Sequence, residues 1–498
     1  HPAVVEASHA RVPLLVCTAD RPAELRATGA GQTIDQNRLY GDAVRWFCDP
    51  GPPSDEPGCG VTWRALASRA FAETWGPPPG PVHLNLPFRE PLVPTGAAPV
   101  DAPGRSDGLP WTRSTRVSYA PGAADVHGLA DLVRAHPRGL LVAGWGAAVA
   151  PATAARFAAA AGWPVLADPI SQLRTGDFAI STYEALLRAP GFASTHRPDL
   201  VVRVGAALTS KVATAWFDPT IPQILVDPDG VWLDPTHAVH TRLAVDADVL
   251  LARVGETLGP APETSRWLAQ WLAAERSARA AIDALFDPPA TGQRVPGLCE
   301  GQIARDVASA LPAGATLVVA SSLPVRALEW CMAPREGLRV LANRGANGID
   351  GFVSTVLGVA HASPASPTVG LCGDLSFLHD INGLLSADQV GERCPATFVV
   401  LDNNGGGIFS YLPPSELTEF ERLFATPHNL DLVEIAKAHG AIAERVDDLH
   451  KLGGALVSSD LVDSNAPRVF VVPVDRRTSV AQHRALWAAV AAVVGDRS

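Results

Sequence analysis

Residues 368–407 constrain the fold more than any other stretch of the chain. An apolar run, Thr368–Cys372, stops at Gly373-Asp374. A helical pattern follows, with Phe377, Leu378, Ile381, Leu384 and Leu385 falling three and four residues apart. A second apolar, β-branched run, Ala396–Leu401, stops at Asp402-Asn403-Asn404-Gly405-Gly406-Gly407. Strand, helix and strand within ~30 residues make a βαβ unit, whose strands are parallel and whose crossover is right-handed. Both polar clusters then stand at the carboxyl ends of neighbouring strands, where open α/β sheets bind ligands.

Those residue types suit a hard cation that carries a phosphate. Mg²⁺ requires a near-ideal octahedron of oxygens and usually completes it with substrate phosphate and water. Asp374 offers a carboxylate, Asn403 an amide oxygen, and Gly405 a carbonyl that no side chain obstructs. The glycine run also lets backbone N–H groups approach an anion. Alone, either cluster is an ordinary βα turn, since Gly, Asp and Asn are common turn residues. Together, separated by one crossover, they point to a Mg-diphosphate site.

Composition narrows what surrounds that unit. A chain of 498 residues predicts about three domains. Apolar content of 47% with 18% charged residues describes a buried globular chain and excludes a disordered one. A net charge of −11 excludes a generally basic nucleic-acid surface. The cysteines (17, 48, 59, 299, 331, 372, 394) form no C-x-x-C pair, and several lie in apolar runs. We expect buried thiols in a reducing cytoplasm, without disulfide or metal roles. No apolar run reaches the ~18 residues of a membrane span, and no signal peptide is expected.

Two Pro/Gly/Ala linkers, Pro94–Trp111 and Asp287–Leu298, divide the chain into regions 1–94, 112–286 and 299–498. The first reads as helix Pro2–His9, strands Pro13–Ala19, Val44–Cys48 and Val82–Leu86, and helix Trp63–Trp75. Too few strands are present for a complete doubly wound sheet and the chain starts at His1, so this domain is expected to begin upstream. In the second region Leu140–Ala143, Val165–Ala167, Leu200–Val204, Ile224–Val226 and Leu243–Val245 predict a Rossmann-like sheet. A helix with Trp267, Leu268, Trp271 and Leu272 on one face ends it. Gly144-Trp145-Gly146 lacks the third glycine of a dinucleotide fingerprint, so a tight βα turn is expected there. The third region adds strands near Thr316–Ala320, Leu338–Leu341 and Val469–Val474, and a closing helix. The expected fold class is α/β, with three doubly wound parallel-sheet domains, the first N-terminally truncated.

Four segments place cationic or polar side chains on loops beside apolar strands: Asp20-Arg21-Pro22, Thr209-Ser210-Lys211, Ser321–Arg326 and Asn343–Gly351. Arginine's planar fork recognises carboxylates bidentately. Arg326 and Arg344 follow strands of the sheet that carries Asp374, so both can face a site beside it. A cluster of this kind suits substrates with more than one carboxylate. Most arginines are solvated surface charges. Arg344, boxed by Asn and glycines, is the hardest to read that way, and Lys211 the easiest.

Gly-Asp, one crossover and Asn-Asn together resemble the cofactor motif of thiamine-diphosphate (ThDP) enzymes. The resemblance implies Asp374, Asn403 and the Gly405 carbonyl as ligands of Mg²⁺ (or Mn²⁺), and Ser376 on the diphosphate. It makes Ile408 the bulky residue that bends the cofactor into its reactive shape, with Phe409 also at the cofactor. Asn343–Gly351 (NRGANGIDG), Ser321–Arg326 (SSLPVR), Gly80–Leu92 (GPVHLNLPFREPL), Thr28–Gln36 (TGAGQTIDQ) and Ala425–Asp431 (ATPHNLD) sharpen it. They are similar to the 2-succinyl-5-enolpyruvyl-6-hydroxy-3-cyclohexene-1-carboxylate synthase (MenD) family.

That family's activity is ThDP-dependent decarboxylation of 2-oxoglutarate and 1,4-addition of the succinyl carbanion equivalent to isochorismate, in menaquinone biosynthesis. The resemblance implies a cytoplasmic homodimer or homotetramer with active sites at subunit interfaces, and no nucleic-acid or membrane partner. By position, Arg21, Gln32, Lys211, Ser322, Arg326 and Arg344 match the family's substrate-site residues. Gly31 and Val212 depart from the pattern, standing where an Asn and, in some members, an Arg are found. The family's catalytic glutamate is expected upstream of His1, and Glu6 lacks its context. Two other readings stay open: another ThDP-dependent 2-oxo acid decarboxylase or carboligase, and, if that glutamate is absent, a non-catalytic ThDP-fold scaffold.

Overall fold

The central strands form where the sequence is continuously apolar, as strands of parallel sheets buried on both faces do. The computed structural model describes residues 1–54, 56–93, 104–260, 265–287, 297–386, 395–457, 461 and 464–495. Residues 94–103 and 288–296 of the two expected linkers, and Cys394, lie outside them. The described residues form three parallel sheets, and the chain falls into two compact units. One comprises residues 1–118, 229–231 and 344–348, and the other holds the remainder.

The first unit has a three-stranded sheet of order β1-β3-β2, with β1 at Leu14–Asp20, β2 at Trp46–Cys48 and β3 at Pro81–Pro87. Central β3 is buried along most of its length, whereas edge strand β1 alternates in exposure. That alternation corrects one expectation: Cys17, on the outward side of β1, is exposed rather than buried. The six described cysteines are all free thiols.

The second unit carries two six-stranded sheets. The first has order β6-β5-β4-β7-β8-β9. Its strands are β4 (Gly139–Ala143), β5 (Val165–Ala167), β6 (Ala179–Ile180), β7 (Leu200–Val204), β8 (Gln223–Val226) and β9 (Thr241–Leu243). Strand order reverses between β4 and β7, where sheets of this kind leave a ligand crevice. Here the Trp145 carbonyl accepts a hydrogen bond from Ala206 N–H at 2.8 Å. A Cβ on Gly144 would lie 1.8 Å from the Ala206 carbonyl oxygen. The two loops close on each other through their backbones, as a tight turn requires and a nucleotide site does not.

The other sheet has order β11-β10-β12-β13-β15-β14. It consists of β10 (Thr316–Val319), β11 (Arg339–Leu341), β12 (Thr368–Gly373), β13 (Ala396–Asp402), β14 (Ile442–Arg445) and β15 (Arg468–Pro473). β12 and β13 pair in parallel from Thr368↔Ala396 to Gly373↔Leu401, so the expected βαβ unit is present. Its helix is shorter than the spacing predicts: an α-helix covers Asp374–His379 and a 3-10 turn Ile381–Ser386. The Asp380 carboxylate, which accepts from Ser354 N–H at 2.7 Å, stands at the break.

The closing helix, Arg476–Gly495, buries Leu486, Val490 and Val494 in one core with Trp267 and Trp271. It also buries His483, whose ring bonds the Tyr411 hydroxyl. Burial pushes the His483 pKa down from 6.5 to about 3. A group whose folded pKa is depressed contributes stability above its unfolded pKa and loses it as pH falls through the window between the two values. One such group is worth ~1.4 kcal/mol per pH unit inside that window. His483→Gln, which keeps an acceptor for Tyr411 but cannot charge, is therefore expected to lessen the fall in melting temperature between pH 6.5 and pH 4. Equal falls in both proteins would show that His483 does not govern acid sensitivity.

Candidate active site

The chain passes from β10 outward to β11 and returns across β10 to β12, so strand order reverses between β10 and β12. Ser321-Ser322 lie just beyond β10, and Gly373-Asp374 end β12 and open the helix that follows it. Ser322 has φ +75°, a backbone conformation that non-glycine residues seldom adopt and that clusters at functional sites. It precedes the helix Leu323–Cys331, and its carbonyl accepts from Arg326 Nη1 at 2.5 Å.

After β12 and β13 the two polar clusters meet. Asp374 is 1% exposed. Its Oδ1 accepts from Leu375 N–H at 2.6 Å and its Oδ2 from Gly405 N–H at 2.8 Å. The loop tips are thus tied directly to one another. Burial, outweighing these hydrogen bonds, pushes the Asp374 carboxyl above the usual carboxylate range. A carboxylate desolvated in this way is stabilised by a nearby cation. His428 Nε2 lies 3.3 Å from Asp374 Oδ2, and Asp374, Asp402 and His428 offer ligand atoms within 4.8 Å of one another.

Asn403 is 8% exposed and donates from Nδ2 to Glu300 Oε1 at 3.3 Å. That bond turns its Oδ1 the other way, and Oδ1 is buried with no protein partner. An orphaned amide oxygen beside a desolvated carboxylate is the donor set a hard cation satisfies. Gly405 has φ +131°, and a Cβ there would meet the Ala425 carbonyl oxygen at 1.9 Å. These residues fit a divalent cation.

One sequence expectation changes. The glycine N–H groups are taken up within the protein and none is left for a bound anion: Gly405 N–H goes to the Asp374 carboxylate, Gly406 N–H to the Ala425 carbonyl and Gly407 N–H to the Gly405 carbonyl. A carbonyl has two lone pairs, so Gly405 keeps one for a ligand. Ser376, expected at the diphosphate, is half-buried.

A cavity of about 270 Å³ in the same unit brings together Lys211, Arg326 and Ile408. Arg188, Arg484 and Trp487 also line it, and sequence reasoning missed all three. Arg188 pairs with Glu184 at 2.9 Å and its guanidinium stands 3.9 Å from the centre of a Trp487 ring. Exposed Lys211 and Arg484 have no ion-pair partner among the described residues. Phe409 packs edge to face against Phe424. The remaining expected substrate residues, Arg21, Gln32 and Arg344, belong to the first unit. Arg21 lies 3.5 Å from Glu90, and Gln32 is exposed with φ +57°. The Arg344 loop is held by Glu6, whose carboxylate accepts from Gly345 and Ala346 N–H at 2.6 and 2.7 Å. Glu6 is an anchor for that loop.

Glu300 was also missed. It opens the helix Glu300–Ala310, is 1% exposed, and burial raises its pKa to about 7. In sequence it reads only as an acid in a helix's first turn.

Residues 106–319 match the family described as "Middle domain of thiamine pyrophosphate", and residues 330–472 match "Thiamine pyrophosphate enzyme, C-terminal TPP binding domain". The fold resembles a thiamine diphosphate-dependent 4-hydroxybenzoylformate decarboxylase of Rhodococcus jostii RHA1, at TM-score 0.69 and 18% identity over 95% of this chain and 84% of that one. Benzoylformate decarboxylase of Polynucleobacter necessarius gives 0.68 and 19%, with the same coverage. Together with the acid–amide pair after β12 and β13, this defines a ThDP-dependent enzyme, and its cofactor is thiamine diphosphate.

Among curated proteins, the chain is 40% identical to the 2-succinyl-5-enolpyruvyl-6-hydroxy-3-cyclohexene-1-carboxylate synthase of Myxococcus xanthus, over 100% of this chain and 85% of that protein. It is 41% identical to that of Saccharopolyspora erythraea (98% and 84%) and 39% to that of Haloarcula marismortui (90% and 78%). The chain belongs to the 2-succinyl-5-enolpyruvyl-6-hydroxy-3-cyclohexene-1-carboxylate synthase family.

Proposed function

We propose that this transferase joins 2-oxoglutarate, with loss of CO₂, to isochorismate in the 1,4 sense, as a step of menaquinone biosynthesis. The observation that carries this is family membership over the whole of this chain combined with a buried Asp374–Gly405 contact beside an orphaned Asn403 oxygen. Asp374, Asn403 and the Gly405 carbonyl hold Mg²⁺, with Mn²⁺ as a substitute. Bound thiamine diphosphate supplies the nucleophilic carbon and electron sink that decarboxylation of a 2-oxo acid needs. Ser376, Ile408 and Phe409 contact the cofactor. Glu300 turns the Asn403 amide so that its oxygen faces the cation.

Lys211 and Arg326 line one cavity and receive substrate carboxylates there, with Ser322 beside them; Arg21, Gln32 and Arg344 are further substrate-binding residues of this reading. Arginine's fork fixes the orientation of a carboxylate as well as its charge. Regions 1–94, 112–286 and 299–498 serve as pyrimidine-binding, central and diphosphate-binding domains of a cytoplasmic homo-oligomer.

Production of CO₂ from 2-oxoglutarate against pyruvate, with and without isochorismate, tests the reading. Turnover of pyruvate alone would reassign the enzyme to another carboligase class. Loss of a charge-assisted hydrogen bond costs about 1.5–3 kcal/mol. Arg326→Ala is accordingly expected to lower kcat/KM for the dicarboxylate by roughly 10–100-fold while leaving ThDP affinity within about twofold. Equal losses in both quantities would make Arg326 a structural residue.

A further inference from the structure

The segment Ala425–Asn429, within ATPHNLD, wraps the turn that carries the metal-site residues. The Ala425 carbonyl accepts from Gly406 N–H at 2.7 Å. Asn404, held at φ +56°, accepts at Oδ1 from His428 N–H at 3.0 Å and Asn429 N–H at 2.9 Å. Its Nδ2 donates to Asn429 Oδ1 at 2.9 Å. From this platform the His428 ring reaches across to the other loop tip, 3.3 Å from Asp374 Oδ2, with its side chain 10% exposed.

The neighbouring backbone decides what that ring can do. Leu430 N–H donates to His428 Nδ1 at 3.0 Å. A neutral imidazole has one donor and one acceptor nitrogen, so the proton sits on Nε2. Nε2 therefore faces Asp374 as a donor and has no lone pair for a metal. Asp374 Oδ2 then accepts from both Gly405 N–H and His428, whereas among the described residues Oδ1 accepts only from Leu375 N–H. Each carboxylate oxygen has two lone-pair sites, which leaves Oδ1 as the atom with one still open.

We propose that His428 is a positioning residue: it fixes the Asp374 carboxylate so that Oδ1 faces the cation, and the Ala425–Asn429 segment clamps the two loop tips in register. The inference rests on the cation reading of Asp374, Asn403 and Gly405. A histidine that holds a ligating carboxylate without touching the metal typically changes metal affinity by about 10–100-fold when lost.

The test is Mn²⁺ affinity at saturating ThDP, measured by electron paramagnetic resonance, in the wild type, His428→Leu, His428→Gln and Asp374→Ala. His428→Leu is expected to weaken Mn²⁺ binding about 10–100-fold, and His428→Gln, whose amide nitrogen can donate from a similar position, to restore most of it. His428→Asn, too short to reach Asp374, replaces the leucine variant if that one does not fold, with the same loss expected. Electron spin echo modulation of Mn²⁺ in the wild type is expected to show no directly bonded imidazole nitrogen. Such a nitrogen, or unchanged affinity in the leucine and asparagine variants beside a crippled Asp374→Ala, overturns the positioning role alone. Unchanged affinity in Asp374→Ala overturns the cation reading, and this inference with it.

Discussion

Asp374→Ala is expected to abolish metal-dependent binding of ThDP, with a loss larger than the ~10–100-fold that removal of an outlying partner of a metal ligand produces. Three effects act in the same direction. The substitution deletes the one carboxylate among the proposed ligands, and with it the charge that draws the cation into a desolvated site. It leaves the Asn403 oxygen and the Gly405 carbonyl, two neutral donors that hold a divalent ion poorly without a carboxylate. It also removes the acceptor of Gly405 N–H, 2.8 Å away, so the two loop tips lose their direct link. Titration calorimetry with ThDP, with and without Mg²⁺, separates the metal-dependent part. Asp374→Asn keeps the volume and one acceptor oxygen but no charge, and is expected to bind between the wild type and the alanine variant. Melting temperatures of the cofactor-free proteins check that the loss is local. Wild-type affinity in the alanine variant would show that Asp374 does not hold the cation.

The proposed metal ligands were legible because their chemistry is local: each sits in the turn that ends its own strand, and apolar runs such as Thr368–Cys372 and Ala396–Leu401 mark those strands. The residues that orient them were not legible. Glu300 and His428 reach Asn403 and Asp374 from 103 and 54 residues away in the chain, and only the folded sheet brings them there. Neither departs from ordinary helix-start or loop composition. Edge strands were lost for a related reason. Ile442–Arg445 (IAER) carries two charges and an exposed first residue, and Ala179–Ile180 is only two residues long, so neither makes an apolar run. The helix after Asp374 was expected as one piece because apolar spacing alone cannot show where Asp380 is drawn to Ser354. The Asn-Gly that follows, with poor helix propensity, leaves the chain little reason to resume an α-helix.

Gly405→Ala separates geometry from ligand chemistry. The substitution keeps every proposed ligand atom, the residue 405 carbonyl included, so a count of donors predicts no loss. The structure predicts a severe one. A Cβ at this position would lie 1.9 Å from the Ala425 carbonyl oxygen and 3.0 Å from its carbon, and both belong to backbone that cannot rotate away as a side chain would. The backbone at φ +131° is also a conformation that L side chains rarely adopt. Relief requires the turn to move off the Ala425–Asn429 segment, which breaks the Gly406–Ala425 hydrogen bond and draws residue 405 N–H from Asp374. Metal-dependent ThDP affinity is expected to fall at least 10-fold, and the melting temperature of the cofactor-free protein to fall as well, because strain of ~1–3 kcal/mol is present without any ligand. Asp374→Ala removes ligand chemistry without that clash, so the pair of variants distinguishes a lost donor from a displaced turn. If Gly405→Ala binds ThDP and metal as the wild type does, the turn is slack and its contact with Ala425 does not shape the site.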